Sequence, residues 1–534
     1  MSRQDQSTRP MNQSDTGVYI GLDLGTSGLK GVALAAEGTV IARAGAAYPT
    51  RRPSPGACEQ APQDWLTAVE SVAAQLRHAA QPRRWRGIGL SAMIPTLVTA
   101  RPGGEPTGPA ITWQDGRASA RGEQLRERCG GERLYRATGQ WMDGRYLLPM
   151  FLRVADDEPA RAAAVAWLLA AKDYLFGWLT GEIATDPSTA SGFGCYRLEA
   201  GAWDGEVIAA AAALAGPAVS ALPSLPPVLP STTCRPLRAE TAQRLGCEQI
   251  PVCLGAADSV LGAFGLGVRD RGQVAYIAGT STVIMGVADR PLLDPGHRFL
   301  VTPLAEPGGW GLEMDLLATG GAISWLAGLL GAGTDEAALL ALAAGVDPRD
   351  APLVLPYLSP GEQGALWDPL LRGAFVGLEL RHERRHLARG LVNGIVLESR
   401  RCLTTLDETR QFGRELQVAG GSAANPAFRA DLADATRRRV GMTGVHGAAS
   451  ARGAALLAAL AIDGVLPASA IVPTGTGKEP APPVAEPDPG RAAMWDELWA
   501  SYEQARHAVS QHYHADPPQA GKPGTPARGD GLPS

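Results

Sequence analysis

Apolar residues in this chain fall into short runs, and two of the runs are paired in the same way by glycine and hydroxyl residues. Val18 to Leu24 is rich in β-branched and large apolar side chains and predicts a buried strand. Gly25-Thr26-Ser27-Gly28 turns the chain, Leu29 to Leu34 predicts a returning strand, and Thr39 to Ala47 a third. Residues 59–80 then take a helical period, with Asp64 placed as N-cap and Trp65 as core anchor. Strands follow at Gly87 to Ser91, ahead of Ala92-Met93-Ile94-Pro95, and at Ala110 to Thr112, ahead of Trp113-Gln114-Asp115-Gly116-Arg117. Helices are predicted at 118–129 and 161–180, with a break at Gly181.

The second half repeats the theme. Residues 221–236 are rich in Pro and Ser and mark the approach to a domain boundary, placed at 249/250. Ile250 to Leu254 predicts a strand that runs into Gly255-Ala256-Ala257-Asp258 and a helix. Val274 to Val287 is again strand, Gly279-Thr280-Ser281 turn and strand, roughly half a chain after the first copy and about one large domain on. Thr319-Gly320-Gly321 opens a helix, Pro352 to Pro356 predicts a strand, and Gln417 to Asn425 reads as strand, Gly420-Gly421 turn and helix start. Helices at 447–462 and 490–513 close the pattern. The expected organisation is a disordered leader at 1–16, domains at 17–249 and 250–465, and an extension at 466–534 that ends in a disordered tail.

The turns carry the candidate chemistry. Glycines at Gly25 and Gly28 allow consecutive N–H groups and the Thr26 and Ser27 hydroxyls to face an anion, an arrangement that binds phosphate. Asp23 stands beside that turn, where a carboxylate would repel phosphate unless Mg²⁺ lay between them. The second turn lacks the carboxylate, with Ala278 before Gly279. Two such turns with one aspartate suggest a nucleotide held between halves. Asp258, in a Gly/Ala-lined strand-to-helix junction, suits either a helix cap or a general base. Ligands gather at carboxyl ends of strands in open α/β sheets, which makes Met93, Ile94, Trp113, Gln114 and Asp115 candidate substrate contacts.

Composition narrows the classes. The 534 residues exceed one core, and a net charge of −5 argues against nucleic acid as a main partner. Seven scattered cysteines without a Cys-x-x-Cys fit a reducing, cytoplasmic setting, and the apolar runs are too short for a membrane span. Four of the 49 Lys and Arg residues are lysine, and Lys30 and Lys172 are the two inside the expected folded body. His382-Glu383-Arg384-Arg385-His386 matches a zinc-protease pattern, but its arginines would repel Zn²⁺ and Arg389 stands where the longer motif wants Gly; a charged helix start is the better reading.

Taken together, Ile20-Gly-Leu-Asp23-Leu-Gly-Thr-Ser-Gly28, Gly255-Ala-Ala-Asp258, Gly279-Thr-Ser281 and Gly420-Gly-Ser-Ala-Ala-Asn425 resemble the FGGY carbohydrate kinases over about residues 18–463. Ile111 to Arg117, Lys172-Asp-Tyr-Leu175, Pro356-Tyr-Leu-Ser359 and the stretch from Gly373 to Leu387 add to the resemblance, and xylulokinases are the nearest subgroup. It implies two actin-like, ribonuclease-H-like α/β ATPase domains with a catalytic cleft between them, using ATP and Mg²⁺ on a small sugar or polyol. It further implies Asp258 as base and Asp23 near the metal. Gly25, Thr26, Ser27, Gly28, Lys30, Gly279, Thr280 and Ser281 would lie around the phosphates, and Gly320, Gly420, Gly421 and Asn425 around the nucleoside. A homodimer stays open. Ala92-Met93-Ile94-Pro95 replaces the subgroup's usual Gln-Met-His-Gly, Met150 and Arg153 replace Lys and Trp, and Asn393 replaces an acid, so gluconate, ribulose and erythritol remain alternatives to xylulose. A non-catalytic sugar-responsive protein or an actin-like ATPase is the alternative of another class.

Overall fold

The computed structural model describes residues 17–81, 84–216, 219, 221–331, 333, 335–359, 364–368, 370–442, 447–467 and 484–515. The leader and the tail expected at the two ends lie outside these residues, apart from Ala515.

Two six-stranded sheets carry the fold. In the first, β1 (Val18–Leu24) and β2 (Gly28–Ala35) form the predicted hairpin and β3 (Val40–Ala47) extends it, the β1–β2 and β2–β3 pairs both antiparallel. On the other side β4 (Trp85–Ala92) and β6 (Pro251–Ala257) run parallel, and β5 (Cys234–Pro236) closes the edge. The second sheet repeats this plan. β7 (Val274–Ala278) and β8 (Thr282–Ala288) make the hairpin, β10 (Trp310–Leu316) and β9 (Leu300–Pro303) continue it, and β11 (Glu415–Gly420) and β12 (Arg439–Met442) add parallel strands.

Helices cover the faces because the parallel strands are apolar on both sides. α1 (Pro62–Ala80) lies on β2 and β3, with Trp65 fully buried. α8 (Ala449–Asp463) packs on β1 and β4 and also on α4 (Asp258–Gly265), which contacts β7. This contact has almost no space: a Cβ at Gly21 or Gly89 would stand 1.8 or 1.9 Å from the Ala451 or Ala454 carbonyl oxygen. One apolar cluster thereby spans both halves, from Tyr19 and Val32 to Ala275 and Ala419. α9 (Pro489–Ala515), in the extension, sinks Trp495 and Tyr502 into the second half's core, where the Tyr502 and Tyr357 hydroxyls donate to Glu398 at 2.9 and 2.6 Å.

Three expectations change. The boundary at 249/250 falls inside the first sheet, since β6 pairs with β4 and the chain reaches the second sheet only after α4. The helix expected at 161–180 is split: Trp167–Ala170 is a strand pairing with Thr96–Ala100, and only α2 (Ala171–Thr180) is the main helix. Cross-strand packing there overrides a run that reads as helical by itself. Asp64 is not the cap of α1; Ala61 is, and Pro62 in the first turn is the start signal.

Candidate active site

The first hairpin turn closes on itself, with the Gly25 N–H donating to the Gly28 carbonyl at 3.1 Å and the Tyr48 hydroxyl donating to the Gly25 carbonyl. The Thr26 hydroxyl accepts from the Trp113 indole at 3.1 Å, which ties this turn to the Thr112–Trp113 strand end. Asp23 is buried at the end of β1, accepts from the Ser91 hydroxyl at 2.8 Å, and faces Lys30 across the ladder. Burial raises its carboxyl above the usual range, against the opposing pull of Lys30 and Ser91.

The second turn closes more tightly, with Gly279 N–H donating to the Ser281 carbonyl at 2.8 Å, and Ile277 stands opposite Val283 where the first has Asp23 opposite Lys30. α5 (Gly320–Leu329) starts against it: Gly321 N–H donates to the Thr280 carbonyl at 3.0 Å, and a Cβ at Gly320 would lie 2.3 Å from the Gly279 carbonyl oxygen. Gly420 sits at φ 110° and Gly421 N–H reaches the Ala278 carbonyl at 3.2 Å. Gly279, Gly320, Gly420 and Gly421 thus converge on the end of β7. Asn425 differs from expectation. Its side-chain oxygen caps α7 (Pro426–Thr436), accepting from Ala427 and Phe428 N–H at 2.9 and 3.1 Å. Ser27, Thr280 and Lys30 are exposed.

Between the halves lies a cavity of about 120 Å³. Thr26 of the first turn, Ser281 of the second and Asp258 all line it, so three segments far apart in sequence share one space. Asp258 begins α4 and is no conventional cap; Ala257 holds that position, and among the described residues the Asp258 carboxylate accepts from its neighbour Ser259 N–H at 3.0 Å. Burial, with the charges of Asp23, Glu313 and Asp315, pushes its carboxyl well above the ordinary range. Such a group is a better proton acceptor than an exposed aspartate.

Of the residues proposed for substrate, Ile94 and Trp113 line the cavity. Met93, Gln114 and Asp115 do not. Met93 is buried in the first half's core, next to the cavity wall but turned into the apolar cluster. Gln114 accepts from Arg52 at 3.2 Å. Asp115 is 1% exposed, accepts from Cys58 N–H at 2.8 Å and pairs with Arg117 at 2.6 Å. A carboxylate whose partners are all internal is holding a loop rather than a ligand.

The cavity also contains residues the sequence did not single out, among them Gln140, Arg145, Tyr146, Ser188, Glu313 and Asp315. Glu313 and Asp315 stand two apart on β10 and so share a face. Two carboxylates at i and i+2 in an otherwise apolar strand were the available signal. Glu313 accepts from the Thr302 hydroxyl at 2.8 Å, and burial raises its carboxyl. Arg145 pairs with Asp143 at 2.5 Å. The zinc-protease pattern has another use: Glu383 precedes α6 (Arg384–Thr409) as its cap, and the His382 and His386 rings each accept a backbone N–H at 2.9 Å. Among the described residues no group of three or more His, Cys, Asp or Glu is placed to hold a metal, and no helix is long and apolar enough to cross a membrane.

Residues 18–265 match the FGGY family of carbohydrate kinases, N-terminal domain, and residues 274–462 its C-terminal domain. The chain is 30% identical to the xylulose kinase of Escherichia coli, over 83% of this chain and 90% of the relative. It is 26% identical to the gluconokinase of Bacillus subtilis, over 78% and 83%. The solved gluconate kinase of Lactobacillus acidophilus superposes with a TM-score of 0.82 at 24% identity, over 94% of this chain and 100% of that one.

Proposed function

On the premise that the chain belongs to the FGGY family of carbohydrate kinases and phosphorylates a sugar, we propose that its acceptor is a neutral one, a ketopentose such as xylulose or a related polyol. The observation that carries this reading is the lining of the cavity. Asp258, Glu313 and Asp315 bring three carboxylates, and Arg145 is the one cation among the described lining residues, already paired with Asp143. A sugar acid would meet this concentration of negative charge with no free cation, whereas sugar hydroxyls can donate to the carboxylates. Gluconate, which the relatives' names keep in play, is disfavoured on that ground.

Asp258 takes the proton of the attacking hydroxyl as the oxygen moves onto the γ-phosphorus of ATP. The turns Gly25–Gly28 and Gly279–Ser281 present N–H and hydroxyl groups to the phosphates from opposite sides. Gly320, Gly420 and Gly421, which let the backbone close around the end of β7, would border the nucleoside. Asp23 is a buried carboxylate whose charge also bears on Asp258, and it would hold a cation arriving with the nucleotide. When bound there, Mg²⁺ supplies charge neutralisation of the phosphates. Ile94, an apolar wall resting on Gly192, cannot read an individual hydroxyl. Discrimination by such a wall is about 10–200-fold per methylene, against about 10⁴–10⁵ for a site that hydrogen-bonds the hydroxyl. Selectivity among ketopentoses and polyols should therefore be graded.

Purified protein assayed for ADP release with D-xylulose, D-ribulose, xylitol, D-xylonate and D-gluconate tests this. Neutral acceptors should lead, with more than one turned over. Preference for either acid would contradict the acidic-pocket reading, and preference for D-xylulose by more than about 10⁴ over every other acceptor would contradict the apolar wall.

A further inference from the structure

Behind the cavity lies a set of ionised groups removed almost entirely from solvent. Lys172 is 1% exposed, and Asp173 and Asp186 are fully buried. The Lys172 ammonium stands 3.2 Å from Asp173 and 3.1 Å from Asp186. Burial works against its charge, yet the two carboxylates outweigh that and raise its pKa. Burial lifts Asp173 to about 6 in spite of Lys172. A buried triad of this kind is costly, and is often neutral or worse for stability compared with apolar packing. Its geometry indicates a different use.

Asp186 caps α3 (Pro187–Ser191), accepting from Ser188 N–H at 3.0 Å and from the Ser188 hydroxyl at 2.5 Å; the Ser231 hydroxyl adds a bond at 3.1 Å. The Ser188 oxygen in turn accepts from Ala257 N–H at 2.9 Å. Ala257 is the residue before Asp258. The strand that delivers it is irregular: β6 shifts register against β4 between Cys253 and Ala256, and Gly255 sits at φ 78° with its N–H on the Ser231 carbonyl at 3.0 Å. A Cβ at Gly255 would stand 1.7 Å from the Leu90 carbonyl oxygen. A bulge of this sort re-aims the strand end and frees a backbone group from the ladder. At the Asp258 junction the freed group is held by Ser188.

We propose that the buried line Lys172–Asp186–Ser188 is a positioning device that fixes, through the Ala257 amide, the direction in which Asp258 enters the cavity. Ser188 lines the cavity, but its proton is given to Asp186 and an oxygen lone pair to Ala257, so it acts on the carboxylate's placement rather than on the sugar. Lys172 locks the Asp186 carboxylate in the orientation Ser188 needs. The inference rests on Asp258 being the base.

The test compares Ser188→Ala, Ser188→Thr and Asp258→Asn with the unaltered protein, each with its best neutral acceptor and Mg·ATP. Misplacement of a catalytic group by about an ångström costs on the order of 10²-fold. Ser188→Ala should accordingly lower kcat at least about tenfold, with KM for ATP and the melting midpoint little changed, and Ser188→Thr, which keeps the hydroxyl, should recover most of the loss. Ser188→Ala with kcat within about threefold of the unaltered protein, while Asp258→Asn is inactive, would overturn the positioning role alone. Parallel loss of kcat, ATP binding and melting midpoint in both serine variants would assign Ser188 to folding and likewise overturn it. Full turnover in Asp258→Asn would instead remove the base, and the positioning device with it.

Discussion

The two sheets are built on one plan and differ beside the hairpin turn. In the first hairpin Asp23 stands two residues before the turn glycine, opposite Lys30; the matching position in the second is Ile277, opposite Val283. The first sheet ends in Asp23 and Asp258, and its attached loops bring Trp113 and Ser188. The second packs Gly320, Gly420 and Gly421 closely about the end of β7, and reaches the shared cavity through Ser281 and the Glu313/Asp315 face of β10. On the proposed reading, the first hairpin serves the acid–base and metal work and the second borders the nucleotide. A duplicated fold can divide labour this way because the turn geometry tolerates either residue while the electrostatics do not.

The largest way to break this comparison is at Asp258. Asp258→Asn keeps shape and removes the proton acceptor, so turnover should fall about 10²–10⁴-fold, with Mg·ATP affinity by calorimetry unchanged. Retention of a tenth of the turnover would mean that the first half does not supply the base. At Asp23 the effect should be metal-linked. Asp23→Ala should raise the half-saturating Mg²⁺ concentration about 10–100-fold, with activity partly recovered at excess Mg²⁺. An unaltered Mg²⁺ titration would show that the asymmetry between the hairpins has no catalytic meaning.

The second half should respond in the opposite manner. Gly320→Val places carbon where only 2.3 Å separates a Cβ from the Gly279 carbonyl oxygen. KM for ATP should rise on the order of tenfold while KM for the acceptor holds, and equal changes in both would blur the division of labour. The smallest effect concerns pH. Asp258 must be ionised to act, and its pKa is raised by burial first and then by the charges of Asp23, Glu313 and Asp315, so the acidic limb of kcat/KM should lie above the ordinary carboxylate range. Glu313→Gln removes one of those charges and favours the ionised form. The limb should move to lower pH by about one unit or less, and a move upward would contradict the assigned electrostatics.

Much of this was legible in the chain. The hairpins were, because an apolar strand, a Gly-hydroxyl turn and a returning strand are local features. So were Asp23 and Asp258, isolated carboxylates at strand ends. The boundary at 249/250 was not, since β6 belongs to the first sheet only through its pairing with β4, far away in sequence. Gln114 and Asp115 looked like ligands because they follow a strand, and the internal partners Arg52, Cys58 and Arg117 that occupy them come from folding. Asn425 was read as a nucleoside contact, although Asn before Pro426 is equally a helix-cap pattern, and the cap is what the structure uses. Glu313 and Asp315 were within reach of the strand's period of two and went unread.

The most direct test of the account is the fate of the phosphate. Protein incubated with Mg·ATP and the best neutral acceptor should release one ADP for each sugar phosphate found by mass spectrometry, with little ADP formed when the sugar is withheld. ADP formed equally with or without sugar, matched by inorganic phosphate instead of sugar phosphate, would contradict it.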